Sequence, residues 1–191
     1  MNKSELSLFK KIPVITTERL VLRKMLPADA DDMFEYAQNP IVTQFLLWEP
    51  HVSRKFTHSY LKFVQSQYAS CGFFDWALTL AENGKMIGTC GFASIDLEND
   101  TGEIGYVINP DFWGAGYATE ALQRVMSFGF GVLGLHRLYV RIMMGNAASE
   151  RVAKKCGMRH EATLYSSLLV KGEYRTIKIY AILRDEFYKS R

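Results

Sequence analysis

Apolar and polar residues change their period several times along the chain, and each change marks an element. Over residues 16–24, Leu20 and Leu22 alternate with Arg19, Val21 and Arg23, the two-residue period of a strand. Pro27 then opens a helix predicted over 28–38 and stopped by Asn39-Pro40. Phe56, Tyr60, Phe63 and Val64 recur at helical spacing, so a second helix is expected over 53–69. Residues 74–81 and 85–95 read as two strands around Glu82-Asn83-Gly84, a hairpin signal because Asn and Gly tolerate positive φ. A third short strand, 103–108, closes at Asn109-Pro110.

The period then becomes helical. Ala118, Ala121, Leu122, Val125 and Met126 lie three and four apart, giving one apolar helix face that ends in a stretch holding Gly129, Gly131 and Gly134. Residues 136–143 form a predicted strand and 149–156 a short helix stopped by Gly157. Two last strands, about 162–170 and 175–183, flank Lys171-Gly172. The order β-α-α-β-β-β-α-β-α-β-β describes an α/β or α+β domain, mostly one sheet with helices on its faces.

Composition adds limits. With 191 residues and 48% apolar content the chain can build a sizeable core, and no repeat, low-complexity tract or linker divides it. One domain over 1–191 is expected, with 1–14 as an N-terminal extension. A net charge of +3, with acids and bases mixed, is not the concentrated basic face of a nucleic-acid binder. Cys71, Cys90 and Cys156 are odd in number and far apart, which reads as reduced thiols in a cytosolic protein. No signal peptide is legible in 1–11, and the longest apolar run, 125–135, is too short to cross a bilayer; a soluble, cytoplasmic protein without membrane partners is expected.

Chemistry concentrates in segment 105–121, GYVINPDFWGAGYATEA. A strand enters a glycine-containing loop, and the loop opens a helix. Glycines let the backbone approach a ligand closely. The first helical amides have no partner within the helix, and the helix dipole makes that end positive. Together these features suit a phosphate. A bare Gly-x-Gly is also what an ordinary turn contains. The segment holds neither a G-x-x-x-x-G-K-S/T loop nor a G-x-G-x-x-G fingerprint, so Walker and dinucleotide folds are unsupported. His51, His58, His136 and His160 lack ligand spacing, so no metal is expected. A hydrolase elbow G-x-S-x-G is also missing.

The segment Val107-Ile108-Asn109-Pro110-Asp111-Phe112-Trp113-Gly114-Ala115-Gly116-Tyr117-Ala118 resembles the acetyl-CoA motif of the GNAT (GCN5-related N-acetyltransferase) superfamily, V-x-P-x-x-R/Q-G-x-G-x-G/A. Residues 146–158, NAASERVAKKCGM, are similar to its second signature, N-x-x-S-x-x-V/L-x-x-K-x-G-F/M. Thr17-Glu18-Arg19-Leu20-Val21-Leu22-Arg23 resembles the start of the RimJ/RimL-like branch, which contains acetylases of ribosomal-protein N-termini. The resemblance runs over nearly the whole chain from Thr16. It implies a mixed, mostly antiparallel sheet of about seven strands with about four helices and a splayed strand pair at a cofactor notch. It also implies acetyl-CoA as co-substrate, with Tyr106, Val107 and Ile108 pairing with the pantetheine arm, and Gly114, Ala115, Gly116, Tyr117, Ala118 and Thr119 holding the pyrophosphate. Asn146 would hold the pantetheine or acetyl end; Asn is equally a favoured helix cap.

The chain departs from the family at two places. Trp113 stands where Arg or Gln is common, which leaves phosphate binding to backbone amides. Ala153 stands where many members have the Tyr that protonates the leaving thiolate. Ser149, one helical turn earlier, is the candidate replacement and a second cofactor contact; a plain capping role fits it equally. Glu103, on the strand before the motif, is the general-base candidate, with an ion-paired strand residue as the alternative. Phe45 and Trp48, in the loop between the first two helices, are candidate walls of the acceptor site. Other aromatics such as Phe73, Phe74 and Trp76 fit a core or an acceptor groove.

Energetics separate the acceptors. An α-amine costs about 1.4 kcal/mol to deprotonate at pH 7, a lysine roughly 4.6 kcal/mol. A site without an obvious strong base therefore suits an α-amine, such as a protein N-terminus. The expected reaction is direct attack in a ternary complex; Cys90 and Cys156 lack a histidine partner for an acyl-enzyme. Competing readings are a non-catalytic acyl-CoA-binding module, an acetyltransferase for a small amine, and an RNA-associated protein. Monomer and homodimer are both open.

Overall fold

The computed structural model describes residues 12–70 and 74–189; Cys71, Phe73 and the segment 1–11 lie outside these. Among the described residues eight strands form one sheet in the order β1-β2-β3-β4-β5-β6-β8-β7. They are β1 (Ile15–Thr16), β2 (Leu20–Arg23), β3 (Phe74–Leu80), β4 (Met86–Asp96), β5 (Thr101–Ile108), β6 (Arg137–Met143), β7 (Arg159–Val170) and β8 (Glu173–Leu183). The helices are α1 (Ala30–Ala37), α2 (Pro40–Thr43), α3 (Arg54–Ala69), α4 (Tyr117–Gly131), α5 (Ala147–Lys155) and α6 (Arg184–Lys189). This is the α/β domain expected, with more pieces. The first predicted strand is two strands, because the Thr17 hydroxyl accepts from the Leu20 amide at 2.9 Å and folds a turn between them. Residues of the expected N-terminal extension that are described pack down: Ile12 is buried, and the Trp76 indole donates to the Pro13 carbonyl at 2.9 Å.

One helix corrects the sequence reading. In α3 the buried face is Thr57, Leu61, Val64 and Tyr68, whereas Phe56 and Phe63 are exposed. A polar residue is tolerated inside because the Thr57 hydroxyl lies 2.8 Å from His51 Nδ1. The α4 helix passes Gly129 and ends at Gly131, within the glycine-bearing stretch where the sequence places its end. A Cβ on Gly129 would lie 3.0 Å from the Phe92 ring and 3.2 Å from Leu138, so this glycine sets how closely α4 packs on the sheet.

The core lies on both faces of the sheet. Trp76, fully buried, meets Phe92 and Phe128 edge-on beneath α4. On the other face α1 and α3 bury Tyr36, Leu61 and Tyr68.

Every strand pair is antiparallel except β5–β6, and that pair matters most. It holds register only at Thr101↔Arg137, Gly102↔Leu138 and Glu103↔Tyr139. Beyond Glu103 the strands diverge, and residues 104–108 have no strand partner on that edge among the described residues.

Candidate active site

The loop between β5 and α4 is built by local chemistry. Asn109 is buried, and its side chain accepts from the Asp111 amide, starting the turn Pro110–Phe112. The Trp113 indole N–H donates to the Ile108 carbonyl at 2.7 Å, closing the loop on the end of β5. Gly114 and Gly116 then take φ of 79° and 87°, a region costly for side-chain-bearing residues. Gly116 is the N-cap of α4. A Cβ at Gly114 would meet nothing within 4 Å, and both glycines line a cavity.

The N-terminal strand region clamps this loop from behind. Glu120, in the first turn of α4, accepts from the Thr17 hydroxyl at 2.6 Å, the Arg19 amide at 3.0 Å and the Arg19 guanidinium at 2.7 Å. Arg19 also donates to the Ala115 carbonyl at 2.9 Å and lies 4.4 Å from the centre of the Tyr117 ring. Burial pushes the Glu120 carboxyl up, but the hydrogen bonds from Thr17 and Arg19 outweigh it and hold the pKa below its usual value. This explains the Thr17-Glu18-Arg19-Leu20 motif, whose purpose the sequence left unassigned. Glu120→Ala is expected to weaken acetyl-CoA binding about tenfold without unfolding the protein, read by calorimetry; an unchanged Kd would show that the clamp does not set the loop.

A cavity of about 540 Å³ runs from this loop along the splayed edge of β5 to α5. It is lined by Tyr106, Val107, Ile108, Gly114, Gly116, Tyr117, Ala118, Thr119, Asn146 and Ser149. Ala115 is not in the lining; its carbonyl is turned to Arg19. Arg151 and Lys155, on α5, also line the cavity and were missed by sequence reasoning. Their four-residue spacing, which puts both on one helix face, was the available signal. Asn146 caps α5, accepting from the Ser149 amide at 3.1 Å, and lines the cavity as well, so both expected roles fit its position. The Ser149 hydroxyl lies 2.6 Å from the Tyr106 hydroxyl. Burial raises the Tyr106 phenol well above its ordinary range, so it stays protonated. Ala153, where the family commonly has Tyr, is buried in the core.

A second cavity of about 400 Å³ lies on the other side of the splay. Its walls include Phe45, Trp48, Asp75, Thr89, Glu103 and Arg141. The loop carrying Phe45 and Trp48 is pinned at two points. The His51 ring packs at a tilt on Trp48, centres 5.3 Å apart, and bonds Thr57, and its amide donates to the Ala37 carbonyl at 2.9 Å. The Lys171 ammonium, from the β7–β8 turn, donates to the Thr43 carbonyl at 2.8 Å. Burial lowers the His51 pKa, which favours the neutral ring. Glu103 is held by Arg141 at 2.8 Å, the ion-paired arrangement that sequence reasoning gave as its alternative. Phe45, Leu46, Tyr106, Val107, Asn146 and Ser149 line both cavities. The two spaces therefore adjoin along a shared wall to which Ser149 and Tyr106 belong.

Residues 19–159 match the family model described as an acetyltransferase (GNAT) domain. The chain belongs to the GNAT acetyltransferases. It is 30% identical over 171 residues to the uncharacterised N-acetyltransferase p20 of Bacillus licheniformis, covering 90% of this chain and 96% of that one. A GNAT-family acetyltransferase structure from Bacillus anthracis superposes with a TM-score of 0.80 at 28% identity, covering 91% of this chain and 99% of the other. The RimL ribosomal L7/L12 α-N-protein acetyltransferase in complex with coenzyme A shares the fold, at a TM-score of 0.76 and 20% identity over 91% of this chain and 98% of that one.

The protein is thus an acetyl-CoA-dependent N-acetyltransferase, and its geometry suits that co-substrate. The glycine loop at the head of α4 lines the same cavity as Arg151 and Lys155, a setting for phosphates. The unpaired edge of β5 offers backbone groups to an extended amide-bearing arm. Among the described residues no group of three or more His, Cys, Asp or Glu could hold a metal, and no helix is long and apolar enough to cross a membrane.

Proposed function

We propose that this GNAT enzyme acetylates the α-amine of a peptide or protein N-terminus by direct attack in a ternary complex. The observation that carries the ternary complex is the wall shared by two cavities on either side of the splay, to which Tyr106 and Ser149 both belong. One space suits the thioester and the other the amine, so no acyl-enzyme is needed. Cys90 is unsuited to be one, because burial raises its thiol pKa well above normal.

Acetyl-CoA supplies an activated acetyl group with a thiolate leaving group. The Ser149 hydroxyl, backed by Tyr106 at 2.6 Å, donates the proton that the departing thiolate takes up. Asn146 fixes the Ser149 backbone and so aims the hydroxyl. Glu103, anchored by Arg141 in a neutral pair, keeps carboxylate lone pairs at the wall of the acceptor cavity that can accept a hydrogen bond from the incoming amine. Phe45 and Trp48 form the apolar wall against which the first side chain of the acceptor rests.

The low cost of deprotonating an α-amine favours it over lysine, as does a fold shared with an α-N-protein acetyltransferase. A thiol-release assay with three acceptors tests this: a peptide with an unblocked N-terminus, an Nα-blocked lysine peptide, and spermidine. The unblocked peptide is expected to show kcat/KM at least about tenfold above the other two. A preference for lysine or spermidine would overturn the α-amine assignment while leaving acetyl transfer intact.

A further inference from the structure

Asp75 has no part in the machinery described so far, yet it lines the acceptor cavity at a singular position. Across the sheet Asp75 stands in register with Gly91, and Gly91 with Gly105. Residues in register share a face, so the row reads carboxyl, bare backbone, bare backbone. The Asp75 side chain leans over the first glycine: a Cβ at Gly91 would lie 2.7 Å from Asp75 Oδ1. A Cβ at Gly105 would meet nothing within 4 Å, so the second glycine floors an open slot beside the carboxyl. Strands lie about 5 Å apart, so a group seated over Gly105 is about one strand spacing from the carboxyl held over Gly91, a gap that one water bridges. Neighbouring Tyr106 and Val107 border both this slot and the co-substrate cavity. Glu103, by contrast, already has Arg141 as its partner.

We propose that the acceptor amine sits over Gly105 and that Asp75 is the base that takes its proton. The proposal rests on the acetyl-transfer reading above and adds a residue and a seat to it. The ammonium gives one proton to the Asp75 carboxylate, leaving a lone pair on nitrogen. That pair forms the C–N bond to the acetyl carbonyl carbon as the C–S bond breaks, and the electrons of that bond leave on sulfur. Ser149 and Tyr106 pass a proton to the sulfur and recover one from the nitrogen, which keeps a single hydrogen as the amide. Asp75 then loses its proton to water, so each turnover releases one proton.

The surroundings support this role. The titratable groups around Asp75 are Tyr36 of α1, Tyr60 and Tyr68 of α3, and Cys90 of β4, with Glu103 and Arg141 across the cavity. Burial keeps the phenols and the thiol neutral; Tyr60 is pushed up to about 12 and the others are raised as well. The same burial raises the Asp75 carboxyl to about 7, against partial opposition from the Thr89 hydroxyl and the Trp76 amide. A base that titrates near neutrality has the affinity needed to deprotonate an amine and still release the proton.

The test uses Asp75→Asn, Asp75→Glu and Gly105→Val in the full chain, with the unblocked peptide as acceptor. Wild-type kcat/KM is expected to rise with pH through a break near 7. In Asp75→Asn that break disappears and kcat/KM at neutral pH falls about 100-fold, with partial rescue by Asp75→Glu and an acetyl-CoA Kd unchanged by calorimetry. Gly105→Val is expected to raise the acceptor KM about tenfold, again with acetyl-CoA binding intact. Without any substrate, infrared difference spectra should show a protonated carboxyl band that vanishes near pH 7 in wild type and is missing from Asp75→Asn. A wild-type pH profile in a folded Asp75→Asn, or an unaltered acceptor KM in Gly105→Val, overturns the proposal. Should Asp75→Asn not fold, the Gly105→Val kinetics decide. If no amine of the panel is turned over by the wild type, acetyl transfer to these acceptors is itself refuted, a result distinct from the loss seen only in the variants.

Discussion

Removing both hydroxyls of the Ser149–Tyr106 pair is expected to lower kcat about 100-fold, with little change in acetyl-CoA affinity. The magnitude follows from the leaving group. A thiol has a pKa near 8.5, so a departing thiolate needs less proton help than an alkoxide would, and the effect belongs at the low end of general-acid contributions. The single variants Ser149→Ala and Tyr106→Phe should each lose less than half of this on a logarithmic scale. The hydroxyls are 2.6 Å apart, and the one that remains can still donate. The two effects are therefore expected to be strongly non-additive, which a double-mutant cycle on kcat detects. Additive small losses in kcat, or a loss confined to KM, would reduce the pair to packing around the cap that Asn146 provides.

The second large effect is on stability. Asp75 is raised to about 7 in the folded protein, from an ordinary value of 3.8. Between those values the folded state holds a proton that the unfolded chain has released. Stability therefore falls as pH rises through this window and levels off above about 7. Asp75→Asn removes the titration, so its stability should not fall over the same range. Relative to wild type the variant gains on the order of 2–4 kcal/mol by pH 8, and little below pH 4. Urea unfolding at the two ends of the range checks the sign; parallel pH dependences for the two proteins would show that the carboxyl is not held protonated. A base that is costly to ionise in the folded protein, but useful there, is a familiar trade of stability for activity.

The sequence revealed most where local chemistry is decisive. Gly114 and Gly116 are read correctly as loop glycines because their positive φ leaves few alternatives. Asn146 and Gly157 bound α5 through a cap bond and a left-handed stop that any isolated helix would use. The reading failed where distant segments decide. The buried stripe of α3 could not be phased from Phe56 and Phe63, because Thr57 enters the core only with the help of His51. Thr17 and Arg19 were recognised as a motif, but their partner Glu120 lies about a hundred residues away in sequence. Asp75 was invisible for the same reason. Its carboxyl matters through Gly91 and Gly105 on neighbouring strands and through tyrosines on two helices, none of which its local sequence announces.

The divergence of β5 from β6 also bears on how the molecule comes apart. A sheet of five strands, β1 to β5, and one of three, β6 to β8, meet through three residue pairs of ladder, with the Glu103–Arg141 ion pair just past the last of them. Only the β1–β2 ladder, with two pairs at the sheet edge, is shorter, so this seam is the thinnest join between the two larger parts of the sheet. The sheet is therefore expected to open along it first, as two cooperative units that share α4. Amide exchange should be fastest along the facing edges of residues 104–108 and 140–143, the stretch where a bound extended chain would lend the missing bonds. In that sense the seam makes occupancy of the site and cohesion of the whole domain a single equilibrium.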